Sequence, residues 1–341
     1  MNKRVLVTGG AGYIGSHTTV ELINAGFEVI IVDNFSNSDP SSLEGIYRIT
    51  GVKPTFVEAD CCDKEALRAV FEAYDFDSVI HFAAYKAVGE SVEKPLMYYR
   101  NNMLSLVNVL ELMQEYGRRN IVFSSSATVY GDADVLPVTE LTPRKPATSA
   151  YGNTKQMAED ILRDSTQACP TLNGIALRYF NPIGAHPSAE IGELPRGVPN
   201  NLVPYITQTA AGVRECLSIF GDDYATPDGS CQRDFIDIVD LARAHVVAIR
   251  RMVEQRGKAR YEVFNVGTGC PVSVFELVHG FEEANGLKLN YKITPRRAGD
   301  VPAVWADTTL ANEELGWRAE RDLRDTLRAA WAWEKHVRGI E

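Results

Sequence analysis

Cysteine is scarce in this chain. The six present (Cys61, Cys62, Cys169, Cys216, Cys231 and Cys270, in 341 residues) have neither the spacing of a zinc site nor the density of a disulfide scaffold. They read as reduced thiols in a cytoplasmic protein. No uninterrupted apolar run approaches the ~20 residues of a membrane span, and Met1 to Thr8 passes into a strand pattern without the apolar stretch of a signal peptide, so no membrane partner is expected. Long basic runs are missing too. With 35 Lys and Arg against 45 Asp and Glu, the net charge is −10, which argues against nucleic acid as a partner. The six histidines show no paired spacing and no Gly-x-Ser-x-Gly elbow occurs, so no metal site and no nucleophilic serine is expected. What remains is an ordinary globular composition, 45% apolar and 23% charged, without internal repeats and long enough for about two domains.

The first organised stretch is an apolar strand over residues 3 to 8, followed directly by Thr8-Gly9-Gly10-Ala11-Gly12-Tyr13-Ile14-Gly15 and a helical pattern from Thr18 to Ala25. A glycine fingerprint between a strand and a helix is the context that phosphate binding requires. Gly10 or Gly12 lets backbone approach a pyrophosphate, Gly15 lets helix and strand pack closely, and free N–H groups at the helix start face the anion. The alternative is a glycine-rich turn without ligand. The next strand, Glu28 to Asp33, ends on an acid at the distance expected of a ribose-binding carboxylate, which selects NAD over NADP because a 2′-phosphate would be repelled. Asp33 can also simply start the Asn34-Phe-Ser-Asn turn.

Strands at Thr55 to Ala59 and Ser78 to Ala84, separated by a helix near Lys64 to Ala73, continue an alternation that implies a parallel sheet with ligands at the carboxyl ends of its strands. Asp60 and Cys61 sit at one such end, and Phe82, Ala83 and Lys86 at another. Asp60 is placed for an adenine amino group or, equally, to cap the following helix. Lys86 faces phosphate or sugar, or else solvent. In the long helix from Lys94 to Tyr116, Asn101 and Asn102 interrupt an apolar pattern. Buried amides need partners, so one of the two is expected to brace the loops around the cofactor.

The strand Asn120 to Ser126 delivers serine hydroxyls where chemistry would occur, and the helical pattern after Ser149 puts Tyr151 and Lys155 on one face. A tyrosine acting as base near neutral pH must shift by ~3 units, about 4 kcal/mol. One ammonium at ~6 Å supplies only ~2.8 kcal/mol in an effective dielectric of ~20, so a second cation such as an oxidised nicotinamide is needed. Ser126 can relay a proton to Tyr151 or merely satisfy backbone groups. Tyr-x-x-x-Lys alone is a common accident. Its meaning rests on the glycine turn and the serine run before it.

Taken together, Gly9 to Gly15, Asp33, Ser124 to Gly131 and Tyr151-x-x-x-Lys155 resemble the extended short-chain dehydrogenase/reductase superfamily. Within it, His81 to Pro95, Arg178-Tyr-Phe-Asn-Pro182, Pro199 to Pro204, Ile219 to Gly221, Arg233 to Ile236 and Arg296 to Pro302 are similar to the UDP-glucose 4-epimerases over nearly the whole chain. The resemblance implies a Rossmann-type doubly wound parallel sheet in residues 1–180 and a smaller mixed α/β substrate domain in 181–341, part of which returns to the first. It implies that Tyr151, Lys155 and Ser126 are catalytic and also touch the cofactor. NAD would further be held by Gly9, Gly12, Tyr13, Ile14, Gly15, Asp33, Asn34, Phe35, Ser36, Asn37, Ser38, Asp60, Cys61, Phe82, Ala83, Lys86, Asn101 and Phe180. The UDP-sugar would meet Lys86, Ser126, Tyr151, Asn181, Asn201, Leu202, Ser218, Phe220, Arg233, Arg297, Asp300 and Val304, the arginines supplying guanidinium forks for its diphosphate. Without that context the arginines would read as surface ion pairs. A homodimer through the Lys94 to Tyr116 helix and the one after Tyr151 is also implied.

The implied reaction inverts carbon 4 of a UDP-hexose by a redox cycle with no net redox, with Tyr151 and Ser126 handling the proton of the 4-hydroxyl. A 4,6-dehydratase would need an acid and base where this chain has Ala127 and Thr128; an enzyme acting on UDP-glucuronate, or a non-catalytic dinucleotide sensor, are the other readings. At Val304 the family carries a bulky tyrosine in members confined to plain hexoses and a smaller residue in those accepting N-acetylated ones. Valine there implies room for the N-acetyl group.

Overall fold

Alternation within a few short strands decides the architecture. In β1 (Arg4–Thr8) and β2 (Glu28–Asp33), Val5, Val7, Val29 and Ile31 face one apolar layer while Leu6, Ile30 and Val32 face the other. Strands buried on both faces read as continuous apolar runs, which is the signature of a parallel sheet covered by helices. The computed structural model describes residues 4–297 and 300–341. It adds, in chain order, α1 (Tyr13–Asn24), α2 (Ser41–Thr50), β3 (Thr55–Glu58), α3 (Lys64–Ala73), β4 (Ser78–His81), α4 (Val88–Glu93), α5 (Pro95–Glu115), β5 (Asn120–Ser126), α6 (Ala150–Ala168) and β6 (Asn173–Tyr179). After Tyr179 come β7 (Asn181–Ile183), α7 (Leu202–Ala210), β8 (Leu217–Phe220), β9 (Gln232–Asp237), α8 (Ile238–Val253), β10 (Tyr261–Val266), β11 (Pro271–Ser273), α9 (Val274–Asn285), β12 (Tyr291–Thr294), β13 (Ala303–Val304) and α10 (Leu323–Arg338).

Among the described residues, seven strands form one parallel sheet in the order β10-β6-β5-β4-β1-β2-β3. This is the doubly wound Rossmann-type fold. One face is covered by α1 and α8, through Val20, Leu22, Leu241 and Ile249. The opposite face is covered by α3, α5 and α6, through Leu67, Phe71, Leu106, Val109, Leu112 and Leu162. Fully burying one such side chain stabilises by roughly 1.5–3 kcal/mol, so the two layers dominate the energetics of the sheet.

A second core joins Ile183, Val203, Ile206, Leu217, Ile219, Phe235, Leu277, Phe281 and Leu327, drawn from β7, α7, β8, β9, α9 and α10. Trp331 packs against it, edge to face with Phe281. The smaller sheets belong here: β9 pairs with β7, β11 and β13, and β12 with β8. Crossing back, β10 pairs with β6 at the edge of the main sheet, and α8 lies on α1.

Several boundaries differ from the sequence pattern, each for a local reason. The first helix begins at Tyr13 rather than Thr18, because the glycine turn itself forms its N-terminus, with Gly12 as N-cap. The expected strands ending at Ala59 and Ala84 stop at Glu58 and His81; the Ala59 and Phe82 N–H groups still bond to the Asp33 and Thr8 carbonyls, and the chain leaves the sheet only after them, at its carboxyl edge. Strand β9 ends at Asp237, and the same residue caps α8 by accepting from the Val239 N–H. Lys3 of the first predicted strand, and Ala298 and Gly299 of the Arg296 to Pro302 stretch, lie outside the described residues.

Candidate active site

The chain winds outward from β1 through β2 to β3 and in the other direction through β4, β5 and β6, so the order of the sheet reverses between β1 and β4. Ligands of such sheets bind outside the carboxyl ends at that switch point. Gly9, at φ 71°, turns the chain there, and an added Cβ would lie 2.8 Å from the Ala83 backbone nitrogen. A Cβ on Gly15 would lie 2.2 Å from the Gly9 carbonyl oxygen, so only glycine lets α1 seat against the turn. Among the described residues no side chain caps α1, and no acid lies in its first turn, which leaves N–H groups and the positive end of the helix aimed at the crevice. These features fit a pyrophosphate.

Asp33 ends β2 beside this turn. Its Oδ2 accepts from the Ala11 N–H at 3.0 Å, and its Oδ1 from the Phe35 N–H at 2.9 Å and the Ser38 hydroxyl at 2.7 Å. The carboxylate is therefore held between the glycine turn and its own loop, as the turn-starting reading of Asp33 has it. Asn34 donates to Asp60 at 3.1 Å, while Ser36 and Asn37 are exposed. Asp60 does not cap α3; Asp63 does, accepting from the N–H groups of Glu65 and Ala66. The Cys61 side chain is buried in the sheet's core, which pushes its thiol up, and its carbonyl is taken by Asn108.

Of the two helical asparagines, Asn102 is the brace. It accepts from the Tyr85 N–H at 2.9 Å and donates to the Tyr85 carbonyl and the Thr154 hydroxyl, both at 3.1 Å, tying the loop after β4 to α6. Asn101 donates to Asn102 and accepts from Cys62. Lys86 lies over the Tyr13 ring and donates to Glu193 at 3.0 Å, and Asn201 donates to the same carboxylate oxygen at 2.7 Å. Glu193 was not singled out by sequence reasoning. No spacing signal marks it, because its partners lie 107 and 8 residues away.

Ser149 caps α6 by accepting from the Gly152 N–H, and the first turn of that helix carries Tyr151. Tyr151 is buried, with Ser126 near enough to favour its ionised form, and the Ser126 oxygen accepts from the Thr128 N–H. Lys155 donates to the Ser124 carbonyl at 2.5 Å, 4.8 Å from the Phe123 ring centroid and 5.7 Å from that of Tyr151. The expected spacing is present; the expected effect of lysine on the phenol is not. Burial pushes Tyr151 up to about 12, only partly countered by Ser126, and brings Lys155 down to about 7, only partly countered by the Glu159 charge. At the alkaline pH where such a phenol would ionise, Lys155 has already lost its charge. The chain alone does not make the phenol acidic, and a further positive charge has to.

Below this group runs a buried ion pair that the sequence reading also passed over. Arg178 donates to both oxygens of Glu159, at 2.9 and 2.6 Å, and Glu159 accepts from Ser125 at 2.5 Å. Arg178 also donates to Tyr130. The pair holds the end of β5 against α6. Thr128, whose buried hydroxyl has no partner among the described residues, stands beside Ser126 where a dehydratase would need an acid.

The predicted UDP contacts gather at the second sheet system. Arg297 donates to both oxygens of Asp300, at 3.1 and 2.7 Å, lies over Phe220, and Arg233 sits 3.6 Å from the same carboxylate. Ser218 and Phe220 alternate with Leu217 and Ile219, which are core, so they face away from it. Val304 pairs with Arg233 across β13 and β9. Asp234, buried, accepts from the N–H groups of Thr268, Gly269 and Ala306, which fixes β9 so that the neighbouring Arg233 faces the other way. Asn181 begins β7, Leu202 packs on the second core, and Phe180 is buried in a small cluster with Tyr130, Val138 and Ala306 that Val304 joins.

Comparison with known proteins identifies the family. Residues 6–330 match the family model described as GDP-mannose 4,6 dehydratase. UDP-glucose 4-epimerase of Mus musculus is 49% identical over 339 residues, 98% of this chain and 97% of that one. The structure of UDP-glucose 4-epimerase from Stenotrophomonas maltophila, solved with NAD and formylated UDP-arabinopyranose, superposes with a TM-score of 0.95 at 47% identity, covering 98% of this chain and 99% of that one. That from Bifidobacterium longum, in complex with NAD+ and UDP, gives 0.94 at 45% identity, with 98% of both chains covered. The identities over nearly the full length of both chains decide the family: this chain belongs to the UDP-glucose 4-epimerases.

Proposed function

We propose that this protein is an NAD-dependent isomerase that inverts carbon 4 of UDP-hexoses, interconverting UDP-glucose and UDP-galactose. The observation that carries the reading is the convergence of Tyr151, Ser126 and Lys155 at the carboxyl end of β5, in a chain 49% identical to a named 4-epimerase over 98% of its length. Residues 1–180 are assigned to the cofactor, and 181–341, apart from the returning α8 and β10, to the UDP-sugar.

The glycine turn from Gly9 to Gly15, Asp33 with its loop to Ser38, and Lys86 would hold the dinucleotide. Bound there, NAD supplies the hydride acceptor and donor for carbon 4 and the extra positive charge that the buried phenol lacks. Tyr151 takes the proton of the sugar 4-hydroxyl through Ser126 and returns it once the 4-keto sugar has turned over. Lys155, pinned to the Ser124 carbonyl, keeps its amine beside the phenol ring. Arg233 and Arg297 turn from Asp300 towards the diphosphate, leaving the hexose less tightly held than the nucleotide. The deciding experiment is conversion of UDP-galactose to UDP-glucose by purified protein without added cofactor, together with release of NAD on denaturation. Conversion of UDP-glucuronate alone would favour the rival reading.

Val304 supports a second substrate class. It is half-buried and offers volume without a hydrogen bond, which suits an N-acetyl group. Turnover of UDP-N-acetylglucosamine beside that of UDP-glucose tests this, and activity on UDP-glucose alone would count against it.

The outer sides of α4, α5 and α6 expose Val92, Leu96, Leu104 and Met157, with Leu96 at 81%, and this supports a homodimer paired through α5 and α6. Light scattering at a single chain's mass would refute it. The six unpaired cysteines suit a reducing compartment, the cytoplasm. Fewer than six titratable thiols in the denatured protein from freshly lysed cells would argue otherwise.

A further inference from the structure

Residues 184–201 leave the second core after β7, cross the carboxyl ends of β1 and β2, and re-enter it at α7. The crossing is tied to the first sheet system at four places. Tyr13 donates to the Gly184 carbonyl at 2.7 Å, and Arg48 pairs with Glu190 at 2.7 Å, where Gly45 of α2 permits the contact because a Cβ there would lie 2.4 Å from the Glu190 carbonyl oxygen. Lys86 pairs with Glu193 at 3.0 Å. The fourth tie is Arg196, whose guanidinium donates to three backbone carbonyls of the loop after β2: Phe35 at 2.9 Å, Ser36 at 3.0 Å and Ser38 at 2.7 Å. On its own side the segment is anchored by Trp333, which donates to the Glu193 carbonyl at 2.9 Å, and by Arg214, which donates to the Gly197 carbonyl at 3.3 Å.

The loop that Arg196 grips is the one that shapes Asp33, since the Phe35 N–H and the Ser38 hydroxyl both donate to that carboxylate. Phe35 has φ 54°, a conformation a non-glycine residue holds only with support from its surroundings. The three carbonyls are shared between the two terminal nitrogens of one planar fork, a spread that the single, freely turning ammonium of lysine does not reproduce. We propose that Arg196 is a positioning residue for the cofactor, the latch of a strap at 184–201 that fixes the Asp33 loop and slows the departure of NAD. This rests on the reading that the cleft holds NAD. A reaction that returns hydride to the carbon it left cannot lose its carrier midway, so retention is a requirement of the chemistry.

The test is the rate at which bound NAD exchanges with labelled NAD in wild type, Arg196→Ala, Arg196→Gln and Arg196→Lys, beside the melting temperature of each protein stripped of cofactor. Loss of the three charged hydrogen bonds at an exposed site is expected to speed release by about tenfold in Arg196→Ala, with Arg196→Gln and Arg196→Lys between, while the melting temperatures of the stripped proteins agree within about a degree. Release as slow as wild type in Arg196→Ala would overturn the latch and leave the NAD reading standing. Faster release accompanied by a matching loss of stability in the stripped protein would also overturn it, because the role would then be structural. A wild-type protein that neither carries NAD nor binds it would overturn the reading and the latch together.

Discussion

The chemistry of this molecule turns on two buried groups shifted in opposite directions. Burial alone leaves Tyr151 protonated up to about 12 and Lys155 half-discharged near 7, so in the free chain neither is in the state that proton abstraction at neutral pH needs. A full ammonium 5.7 Å from the ring centroid would be worth roughly 3 kcal/mol to the phenolate in an effective dielectric of ~20, about two pH units, which is the upper bound for a half-discharged Lys155. Lys155→Met is therefore expected to lower turnover at pH 7 by about tenfold and at most about 100-fold, and to recover part of that loss by pH 9. Recovery stays incomplete because the lysine also ties the Ser124 carbonyl beside Ser126. A pH–rate profile shifted downward by the same factor throughout would mean that Lys155 only positions its neighbours.

At the scale of elements, the contact between the glycine turn and α1 is the tightest constraint. Alanine is favoured over glycine inside a helix by about 1 kcal/mol, yet at Gly15 the added methyl would lie 2.2 Å from the Gly9 carbonyl oxygen. Overpacking of that kind costs typically 1–3 kcal/mol, so the steric effect outweighs propensity. Gly15→Ala should lower the unfolding free energy by about 1–2 kcal/mol and weaken NAD binding severely, because the helix N-terminus is displaced. Gly89, in α4, provides the contrast: an added Cβ meets nothing within 4 Å, and Gly89→Ala should be neutral or stabilising by up to about 1 kcal/mol. Denaturant titration of both variants checks the pair, and equal effects would refute the steric account.

For the whole molecule, stability should depend on three histidines buried under the fold. Burial brings His17 and His81 down to about 3, the Lys155 charge adding to it for His81, and His245 down to about 4. Each stays neutral in the folded state while the unfolded chain takes up protons below about 6.5, so unfolding becomes easier as pH falls. Their combined contribution is fully present above that pH. It is lost on acidification at about 1.4 kcal/mol per pH unit for each histidine, down to about pH 4 for His245 and about 3 for the others. Glu140 and Asp240, whose carboxyls burial pushes up, oppose this in part. Urea unfolding from pH 7.5 to 4.5 should show a steep decline below 6.5, and a flat profile would contradict it.

Much of this protein could be read from local pattern. Strand and helix periodicity, the glycine turn with its acid one strand later, and the four-residue spacing of Tyr151 and Lys155 are short-range features, and short-range sterics specify them without reference to the rest of the chain. The parallel sheet follows from the alternation of such units. Other features depend on residues far apart in sequence. Glu193 meets Lys86 across 107 positions, Arg196 reaches Phe35 across 161, and Arg178 and Glu159 bury each other beneath β5. Nothing in a linear pattern marks such partners, because their meaning comes from what surrounds them after folding. The same holds for charge state: residue type sets the ordinary pKa, but only the depth of burial decided that Tyr151 is raised and Lys155 lowered, since desolvation is a property of the packed whole.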